Sequence, residues 1–376
     1  MRDIALFQLA LGLTPPWRVS AAEFDPEQKR LDIKIDFPRG STFVCPGCGQ
    51  SGVKAYDTEE KTWRHLNFFQ HEAHLSARVP RIHCSTCGVR LVEVPWARAG
   101  SGFTLLFEAM IMVLAKSMPI KTVAAFVNVH DTRLWRVLHH YVDEARRKAD
   151  HSGVRHVGVD ETSSKRGHNY VSLFVDLKGP RVLFVTEGKD ASTVGRFKQD
   201  LTDHGGDPGA IEEVCCDMSQ AFVSGFEQYF PQAKITFDKF HIMKIINDAV
   251  DQVRREEYKE RPELARTRYL WLKNPSKLKA SQPETLAGLT VKDLNLKTSR
   301  AYHIRLNFQE LFEQPPDLAE GFLRKWYFWV THSRLEGINS LVQVPPKARA
   351  RGYRTTRNLI TMIYLIGGKL TFNLPT

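Results

Sequence analysis

The sequence has no apolar run of about 20 residues, the length that a helix needs to cross a lipid bilayer. Its longest apolar runs, Leu105–Ala115 and Leu359–Ile366, are shorter, and the first contains Glu108. We therefore expect no transmembrane helix. The segment Ile4–Leu13 has the length of a signal peptide, but Gln8 interrupts its apolar part and no small-residue cleavage site follows. Internal repeats and low-complexity tracts are also lacking, which argues against solenoid and disordered proteins.

Acidic residues are fewer than basic residues. The chain has 42 Asp and Glu against 53 Lys and Arg, a formal net charge of +11. A basic surplus of this kind favours a polyanionic partner. Nucleic acid is the first candidate. A membrane surface is the second, but no amphipathic helix with a basic face supports it, so we expect no membrane partner.

Cysteine is also scarce, with six residues in 376, which excludes a small disulfide-stabilised scaffold. Four of the cysteines form two Cys-x-x-Cys knuckles, each followed by glycine: Cys45 with Cys48, and Cys84 with Cys87. Two knuckles supply the four thiolates of one tetrahedral zinc site, and the strand-like segments between them are typical of a zinc ribbon. The alternative is a set of unrelated buried or redox thiols. Cys215 and Cys216 are expected to be small core residues on a buried strand.

Residues 103–148 have helical periodicity. The predicted apolar stripe consists of Phe103, Leu106, Phe107, Met110, Val113 and Leu114. A brief helix starting at Pro119, a turn at residues 128–130 and a second helix capped by Asp131 have helix-turn-helix spacing. Any helical hairpin has this spacing, so the motif alone does not establish DNA binding.

Residues 154–238 alternate between strands and helices, and three predicted strands end at Asp160, Asp217 and Asp238. Aspartates at the ends of adjacent strands place carboxylates at one edge of a sheet, and all-oxygen ligands suit Mg²⁺. Asp160 and Asp217 are separated by a hairpin and a helix, which fits a sheet of the RNase H type. Glu161 is expected on the opposite side of the strand from Asp160, because side chains alternate.

Four sequence blocks occur in a specific order: Gly158–Glu161 (GVDE), Cys215–Ser219 (CCDMS), Phe237–His241 (FDKFH) and Ser333–Asn339 (SRLEGIN). In this order they resemble the DDE transposases of the bacterial ISL3 insertion-sequence family. The similarity extends to the cysteine knuckles, the helical region after them and the C-terminal stretch. It therefore covers nearly the whole chain.

The resemblance implies an RNase H-like catalytic domain in which Asp160, Asp217 and Glu336 are catalytic and bind two Mg²⁺ or Mn²⁺ ions. The strand pattern also indicates the two aspartates, whereas Glu336 rests on the motif alone. Asp238 and His241 are possible accessory residues. We favour Asp238 as the N-cap of the helix that follows it.

The resemblance further implies a transposase that binds the terminal inverted repeats of an insertion sequence and catalyses Mg-dependent DNA cleavage and strand transfer. Its partners would be double-stranded terminal-repeat and target DNA and further copies of the chain, in the bacterial cytoplasm and associated with the nucleoid. The basic residues expected at DNA are Arg133, Arg136, Lys347, Arg349, Arg351, Arg354 and Arg357. Bases would be read by the helix around residues 132–136.

Two alternatives stay open at this stage. The chain could be a non-catalytic DNA-binding regulator or inactive transposase copy, or a nuclease without joining activity. Pro345 and Pro346 stand where the family is expected to be helical, and proline ends helices, so they bear on how the basic tail meets DNA and on whether this copy is active.

These inferences predict an α+β multidomain chain. Residues 1–100 would form an N-terminal β-hairpin and zinc ribbon, and residues 101–150 a helix-turn-helix-like region. The RNase H-like α/β core would begin at 151–256, a helical insertion would occupy 257–330, and 331–376 would supply the C-terminal catalytic helix and basic tail. Aromatic residues expected in the core of the insertion are Trp271, Trp326, Tyr327 and Trp329.

Overall fold

The computed structural model describes residues 3–163, 169–291, 295–333, 335, 356–372 and 374. The chain divides into two compact units, residues 1–148 with 370–376, and residues 149–369. Each unit contains helices and one β-sheet, which confirms the predicted α+β class. Within the described ranges, no helix is long and apolar enough to span a membrane.

The first unit starts with a short helix and a six-stranded sheet. Its elements are α1 (Asp3–Ala10), β1 (Arg18–Asp25), β2 (Arg30–Asp36), β3 (Thr42–Phe43), β4 (Val53–Phe68), β5 (His71–Cys84) and β6 (Gly88–Leu91). The strand order is β1-β2-β5-β4-β3, and β6 pairs with β5. The β2–β5 pair is parallel and the other pairs are antiparallel.

The predicted N-terminal hairpin is confirmed as β1 and β2. Leu31, Ile33 and Ile35 are buried while the residues between them are more exposed, which is the alternation of a strand with one face on a core. The Asp25 carboxylate accepts hydrogen bonds from the backbone N–H groups of Glu27 and Gln28 and so stabilises the turn.

Three helices complete this unit: α2 (Leu105–Ser117), α3 (Ile120–Val127) and α4 (Asp131–Arg147). The helix-turn-helix spacing is thus present, with Asn128 in the left-handed conformation after α3 (φ 53°). The predicted cap was wrong by one residue. His130 is the N-cap of α4 and its ring accepts from the Thr132 N–H, because Asp131 already has helical geometry.

The apolar stripe predicted for α2 was partly wrong. Val113 is 61% exposed, and the buried face carries Phe107, Glu108, Ile111, Met112 and Ala115 instead. Glu108 explains why the buried face of α2 differs from the predicted stripe. Its fully buried carboxylate accepts hydrogen bonds from Arg98, Ser101 and Tyr141. This polar network turns the helix so that a charged residue faces inward. Burial and the Glu108 carboxylate raise the pKa of Tyr141, so its hydroxyl stays a donor.

The second unit contains a five-stranded sheet with the order β11-β10-β7-β8-β9. Its strands and first helices are β7 (His156–Ser163), β8 (Tyr170–Asp176), β9 (Arg181–Glu187), α5 (Ala191–Asp203), β10 (Glu213–Cys216), α6 (Gln220–Tyr229) and β11 (Lys234–Phe237). The strands β7, β8 and β9 form an antiparallel meander, and β10 and β11 run parallel to β7. This is the mixed sheet predicted for an RNase H-like domain.

An aromatic core holds the helices on this sheet. The rings of Phe174 on β8 and Phe197 on α5 stack with centroids 4.4 Å apart, and Phe226 of α6 contacts Phe174 edge-on. All three side chains are fully buried. A C-terminal helix, α12 (Thr356–Gly367), adds to the sheet, where the Tyr364 hydroxyl accepts a hydrogen bond from the Val185 N–H.

One strand end differs from the prediction. Strand β7 does not stop at Asp160 but continues to Ser163, because residues 160–163 pair with Tyr170–Leu173 of β8. Asp160 therefore lies within the strand, whereas Asp217 and Asp238 directly follow β10 and β11.

The predicted insertion is helical. Residues 257–330 contain α8 (Arg268–Leu272), α9 (Gln282–Thr290), α10 (Lys297–Glu310) and most of α11 (Pro316–Thr331). The long helix α7 (Lys239–Glu257) precedes them and lies in the segment predicted as catalytic core. Trp271 is fully buried in the core of the insertion and Trp326 packs against that core, as predicted. Tyr327 and Trp329 are 54% and 42% exposed, so their predicted burial was wrong. Tyr327 directly follows the core-facing Trp326, and Trp329 directly precedes the buried Val330. Adjacent positions of a helix face different directions, so these two rings lie towards solvent.

Replacing Glu108 tests the buried network of the first unit. Glu108→Ala removes the acceptor of three donors and leaves the Arg98 charge without its partner, so we expect the free energy of unfolding to fall by about 3–5 kcal/mol. Urea unfolding followed by circular dichroism measures the change. Glu144→Ala, which removes a surface ion pair with Lys148, is the control and should cost less than about 1 kcal/mol. Equal losses in both variants would contradict this role of Glu108.

Candidate active site and metal centres

The second unit brings the three predicted aspartates to one edge of its sheet. Strand β10 pairs with β7 so that Cys215 lies opposite Gly158, and two further steps along this register place Asp217 beside Asp160. Strand β11 pairs with β10 in a register whose next step places Asp238 beside Asp217. We call Asp160, Asp217 and Asp238 the acidic edge.

The carboxylates of the acidic edge are held by local backbone groups. One oxygen of Asp160 accepts a hydrogen bond from the Glu161 N–H at 2.7 Å, and one oxygen of Asp217 accepts from the Ser219 N–H at 3.0 Å. Among the described residues, no Lys or Arg side chain forms an ion pair with either aspartate. Neighbouring carboxylates without a cation repel each other, and a hard divalent cation prefers such oxygen ligands. The donor set therefore fits Mg²⁺ or Mn²⁺.

Glu161 lies within the electric field of the acidic edge. Burial raises its pKa, and the negative charges of Asp217 and Asp160 raise it further, while Lys189 and His241 oppose the shift. The Lys189 amino group lies 4.0 Å from the Glu161 carboxylate and 3.9 Å from the centroid of the Tyr170 ring. Strand alternation predicts only that Glu161 lies on the opposite side of the strand from Asp160. It does not indicate Lys189, for which the sequence carries no distinctive signal.

Asp238 acts as a helix cap, as favoured from the sequence. Its Oδ1 accepts a hydrogen bond from the Phe240 N–H at 2.7 Å at the start of α7. Its backbone N–H donates to the Cys216 carbonyl oxygen, which fastens the helix start to the edge of the sheet. His241, on the first turn of α7, is half-buried, and a positive charge on its ring would lower the pKa of Glu161.

Several predicted site residues lie outside the described residues. They are Glu336, Lys347, Arg349, Arg351 and Arg354, together with Pro345 and Pro346. Leu335, directly before Glu336, is described and is buried in the core of the insertion. Arg357 lies in α12, and its side chain is exposed.

The structure brings the four knuckle cysteines together in the first unit. Cys45, Cys48, Cys84 and Cys87 each offer one sulfur, and the four sulfurs lie within 4.8 Å of one another. All four are free thiols, and the sulfurs of Cys48 and Cys84 are 3.5 Å apart. This sulfur set is that of a structural zinc site.

Glycines let the knuckles close around the sulfurs. Gly49 and Gly88, which follow the second cysteine of each knuckle, have φ values of 77° and 70°, in the left-handed region that favours glycine. A Cβ atom on Gly47 would lie 3.0 Å from the Cys87 sulfur. Backbone N–H groups of Cys87 and Thr86 lower the pKa of Cys84 to about 7, which favours the thiolate that binds metal.

The other two cysteines are not part of a metal centre. Cys216 is buried in β10, and burial raises its pKa to about 12, with Asp217 contributing. Burial also raises the pKa of Cys215. Neither thiol belongs to a metal-binding group among the described residues. Cys216 occupies the core position predicted for it, whereas Cys215 is only half-buried.

The second helix of the helix-turn-helix presents basic side chains. Arg133 and Arg136 are both exposed on the N-terminal part of α4, while Leu134, Val137 and Leu138 are buried behind them. The Arg133 guanidinium lies 4.3 Å from the centroid of the Phe103 ring, so part of its surface packs within the unit. Arg136 is on the same exposed side of the helix.

Comparison with protein families gives three matches along the chain. A transposase family model matches residues 157–344, which is half of the chain. The helix-turn-helix domain of transposase family ISL3 matches residues 92–142. The zinc-finger of transposase IS204/IS1001/IS1096/IS1165 matches residues 41–87, a segment that includes the four knuckle cysteines.

Curated relatives agree with these matches. The chain is 27% identical over 374 residues to the transposase for insertion sequence element IS1557 of Mycobacterium tuberculosis, covering 89% of this chain and 82% of the relative. It is 27% identical over 334 residues to the transposase for insertion sequence element IS1001 of Bordetella parapertussis, covering 84% and 78%. The HTLV-2 integrase catalytic core solved with magnesium aligns at 15% identity and a TM-score of 0.19, over 36% of this chain and 85% of that one, which is too slight a likeness to support an argument.

The matches follow the order of the described features: the cysteine knuckles, the helix-turn-helix, and then the sheet with the acidic edge. The zinc-finger match contains the four knuckle cysteines, the helix-turn-helix match contains α2, α3 and most of α4, and the transposase match, which spans half of the chain, contains the acidic edge. The chain therefore belongs to the ISL3 family of transposases, and it is a DNA-binding enzyme of transposition with a zinc-ribbon centre.

Proposed function

We propose that this transposase cleaves DNA at the terminal inverted repeats of its insertion sequence and joins the freed ends to target DNA at the acidic edge. The observation that supports this proposal is the register of β7, β10 and β11, which sets Asp160 beside Asp217 without a paired cation among the described residues. A DNA-binding regulator does not need such a pair of carboxylates. Joining requires two DNA ends in one complex, so we also propose that the chain acts as a homo-oligomer.

In this proposal Asp160, Asp217 and Glu336 hold a pair of Mg²⁺ or Mn²⁺ ions. When bound, such ions neutralise phosphate charge and polarise the attacking and leaving oxygens. The hydrogen bonds from Glu161 and Ser219 engage one oxygen of each aspartate and so orient the other oxygen towards a ligand. Both bonds come from backbone N–H groups close in sequence, so the carboxylates are oriented before DNA arrives.

Asp238 and His241 have supporting roles in the proposal. Asp238 fixes the first turn of α7 against the acidic edge through its cap and its backbone bond to Cys216. Lys189, and His241 when protonated, would place positive charge near Glu161 and so limit the repulsion between its carboxylate and those of the acidic edge. Neither Asp238 nor His241 needs to contact the reacting phosphate.

DNA would be bound by both units. Arg133 and Arg136 on α4 would approach bases and phosphates of the terminal repeat, and Lys347, Arg349, Arg351, Arg354 and Arg357 would contact phosphates. We retain the five proposed segments, 1–100, 101–150, 151–256, 257–330 and 331–376, as the domains that divide this work. Activity would be associated with the nucleoid, where the DNA substrate lies.

Replacing Asp217 tests the acidic edge. Asp217→Asn keeps the size and the hydrogen bond from Ser219 but removes the charge, so we expect Mg²⁺-dependent cleavage to fall by about 10³-fold or more. The assay uses a plasmid carrying the inverted repeats that flank the gene, with the cut sites mapped to the nucleotide. Glu336→Gln should have the same effect. Glu227→Gln, on the exposed side of α6, is the control and should cleave like the wild type; unchanged cutting by Asp217→Asn would refute the assignment.

Removing the zinc tests the role of the first unit. Cys48→Ser should lower the zinc content by about one ion per chain and abolish specific binding to the terminal repeat, because the knuckles need all four sulfurs to close. Elemental analysis and electrophoretic mobility shifts measure the two effects. Cys215→Ser, at a thiol outside the cluster, should leave both unchanged. Normal repeat binding by a zinc-depleted Cys48→Ser protein would contradict this prediction.

Salt dependence tests the basic tail. If Arg349, Arg351 and Arg354 each contact a phosphate, the triple alanine variant should reduce the slope of log K against log salt concentration by about 3. Binding is measured by mobility shift over a series of salt concentrations. Arg324→Ala, which removes an exposed arginine paired with Glu320 in α11, should keep the wild-type slope. A triple variant with the same slope would show that these arginines do not contact DNA.

A further inference from the structure

The second unit contains another group of metal-binding side chains, separate from the acidic edge. His151, Asp200 and His204 each offer one ligand atom, and these three atoms lie within 4.8 Å of one another. The rings of His151 and His204 are close, with centroids 5.0 Å apart and planes inclined by 29°. No part of the transposition chemistry proposed above uses these residues.

The helix α5 supplies two of the three side chains. Asp200 lies in the last turn of α5 and His204 is the C-cap residue of this helix, so both side chains lie on the same side, with His204 Nδ1 3.6 Å from Asp200 Oδ2. The His204 Nδ1–H donates to the Asp200 carbonyl oxygen at 2.7 Å, so a metal ion would bind His204 through Nε2. A histidine that binds metal through one nitrogen commonly donates its other N–H in this way.

The backbone holds His151 against this helix end. The His151 N–H donates to the His204 carbonyl oxygen at 2.9 Å, and its own carbonyl oxygen accepts from the Val154 N–H. The tight turn after α5 allows this approach: Gly205 has a φ of 78°, and a Cβ atom on Gly206 would lie 3.0 Å from the His151 carbonyl oxygen. The position of His151 is therefore set by the fold before any ligand binds.

Burial and ligand type together indicate the class of ion. His151 is 2% exposed, and the Asp200 and His204 side chains are 17% and 13% exposed, so an ion would be largely enclosed but reachable from solvent. Two imidazoles and one carboxylate are typical ligands of borderline transition metals, whereas Mg²⁺ prefers oxygen ligands alone. Tetrahedral zinc needs ligand atoms about 3.3 Å apart, and the three ligand atoms here lie within 4.8 Å of one another.

We propose that His151, Asp200 and His204 bind a transition-metal ion, with Zn²⁺ as the ion to test. The bound ion would fasten the segment that leads into β7, the strand carrying Asp160, to the end of α5. Its three protein ligands would leave the fourth tetrahedral position to solvent, and the role that we assign to the ion is to join these two segments. The proposal does not depend on the reaction proposed for that edge.

Metal content of the full chain tests this proposal. The protein is dialysed against buffered Zn²⁺ with excess Mg²⁺, which occupies oxygen-only sites, and zinc is measured by mass spectrometry. We expect about two zinc ions per wild-type chain, one at the cysteine knuckles and one at the new site. His204→Ala and Asp200→Asn should each lose about one ion and keep the other, and Cys48→Ser should lose only the knuckle ion. Asp203→Asn, at the neighbouring exposed carboxylate of α5, should keep both.

Cobalt gives an independent readout of the two centres. Co²⁺ bound by four thiolates absorbs strongly in the near ultraviolet, whereas Co²⁺ bound by nitrogen and oxygen absorbs only weakly in the visible range. His204→Ala should lose the weak bands and retain the strong ones. A wild-type chain holding a single zinc ion that Cys48→Ser removes would overturn the proposal. A second ion that persists in both Asp200→Asn and His204→Ala would also overturn it, and circular dichroism confirms that each variant is folded.

Discussion

The parallel register of β7, β10 and β11 is the constraint on which the catalytic unit depends. A slip of one residue between β7 and β10 would move Asp217 away from Asp160 and turn the buried side chains of a strand to the wrong face. Gly158 lets β7 lie close to β8, because a Cβ atom there would lie 2.9 Å from the side chains of Val175 and Leu177. The close packing of β7 on β8 thus holds the acidic edge in place.

The chain separates its metal chemistry by ligand type. Sulfur ligands occur at the knuckles of the first unit, and oxygen ligands at the acidic edge of the second. Soft thiolates select zinc, while hard carboxylates favour Mg²⁺ or Mn²⁺. In the proposed function, two different ions would therefore serve structure and catalysis in one polypeptide. The proposed centre of two histidines and one carboxylate at the end of α5 would have nitrogen and oxygen ligands, and so would be intermediate in ligand softness between the sulfur and the oxygen centres.

Local patterns predicted most elements, and tertiary contacts explain the errors. Strand alternation and the knuckle spacing were sufficient for β2 and for the zinc centre. The buried face of α2 was predicted wrongly because Glu108 is charged, and only its partners Arg98, Ser101 and Tyr141 make its burial favourable. The grouping of His151 with Asp200 and His204 was missed because their contact depends on a turn after α5. The spacing of Asp200 and His204 was the one signal that the sequence offered.

The helix α7 links the acidic edge to the insertion. It begins at the Asp238 cap beside Asp217, and its later residues Ala249, Val250 and Val253 are buried in the core of the insertion. Leu335 is buried in the same core. A helix transmits position along its length because each turn is hydrogen-bonded to the next. The core of the insertion is therefore attached through α7 to the acidic edge, and it also holds Leu335, the residue before the proposed ligand Glu336.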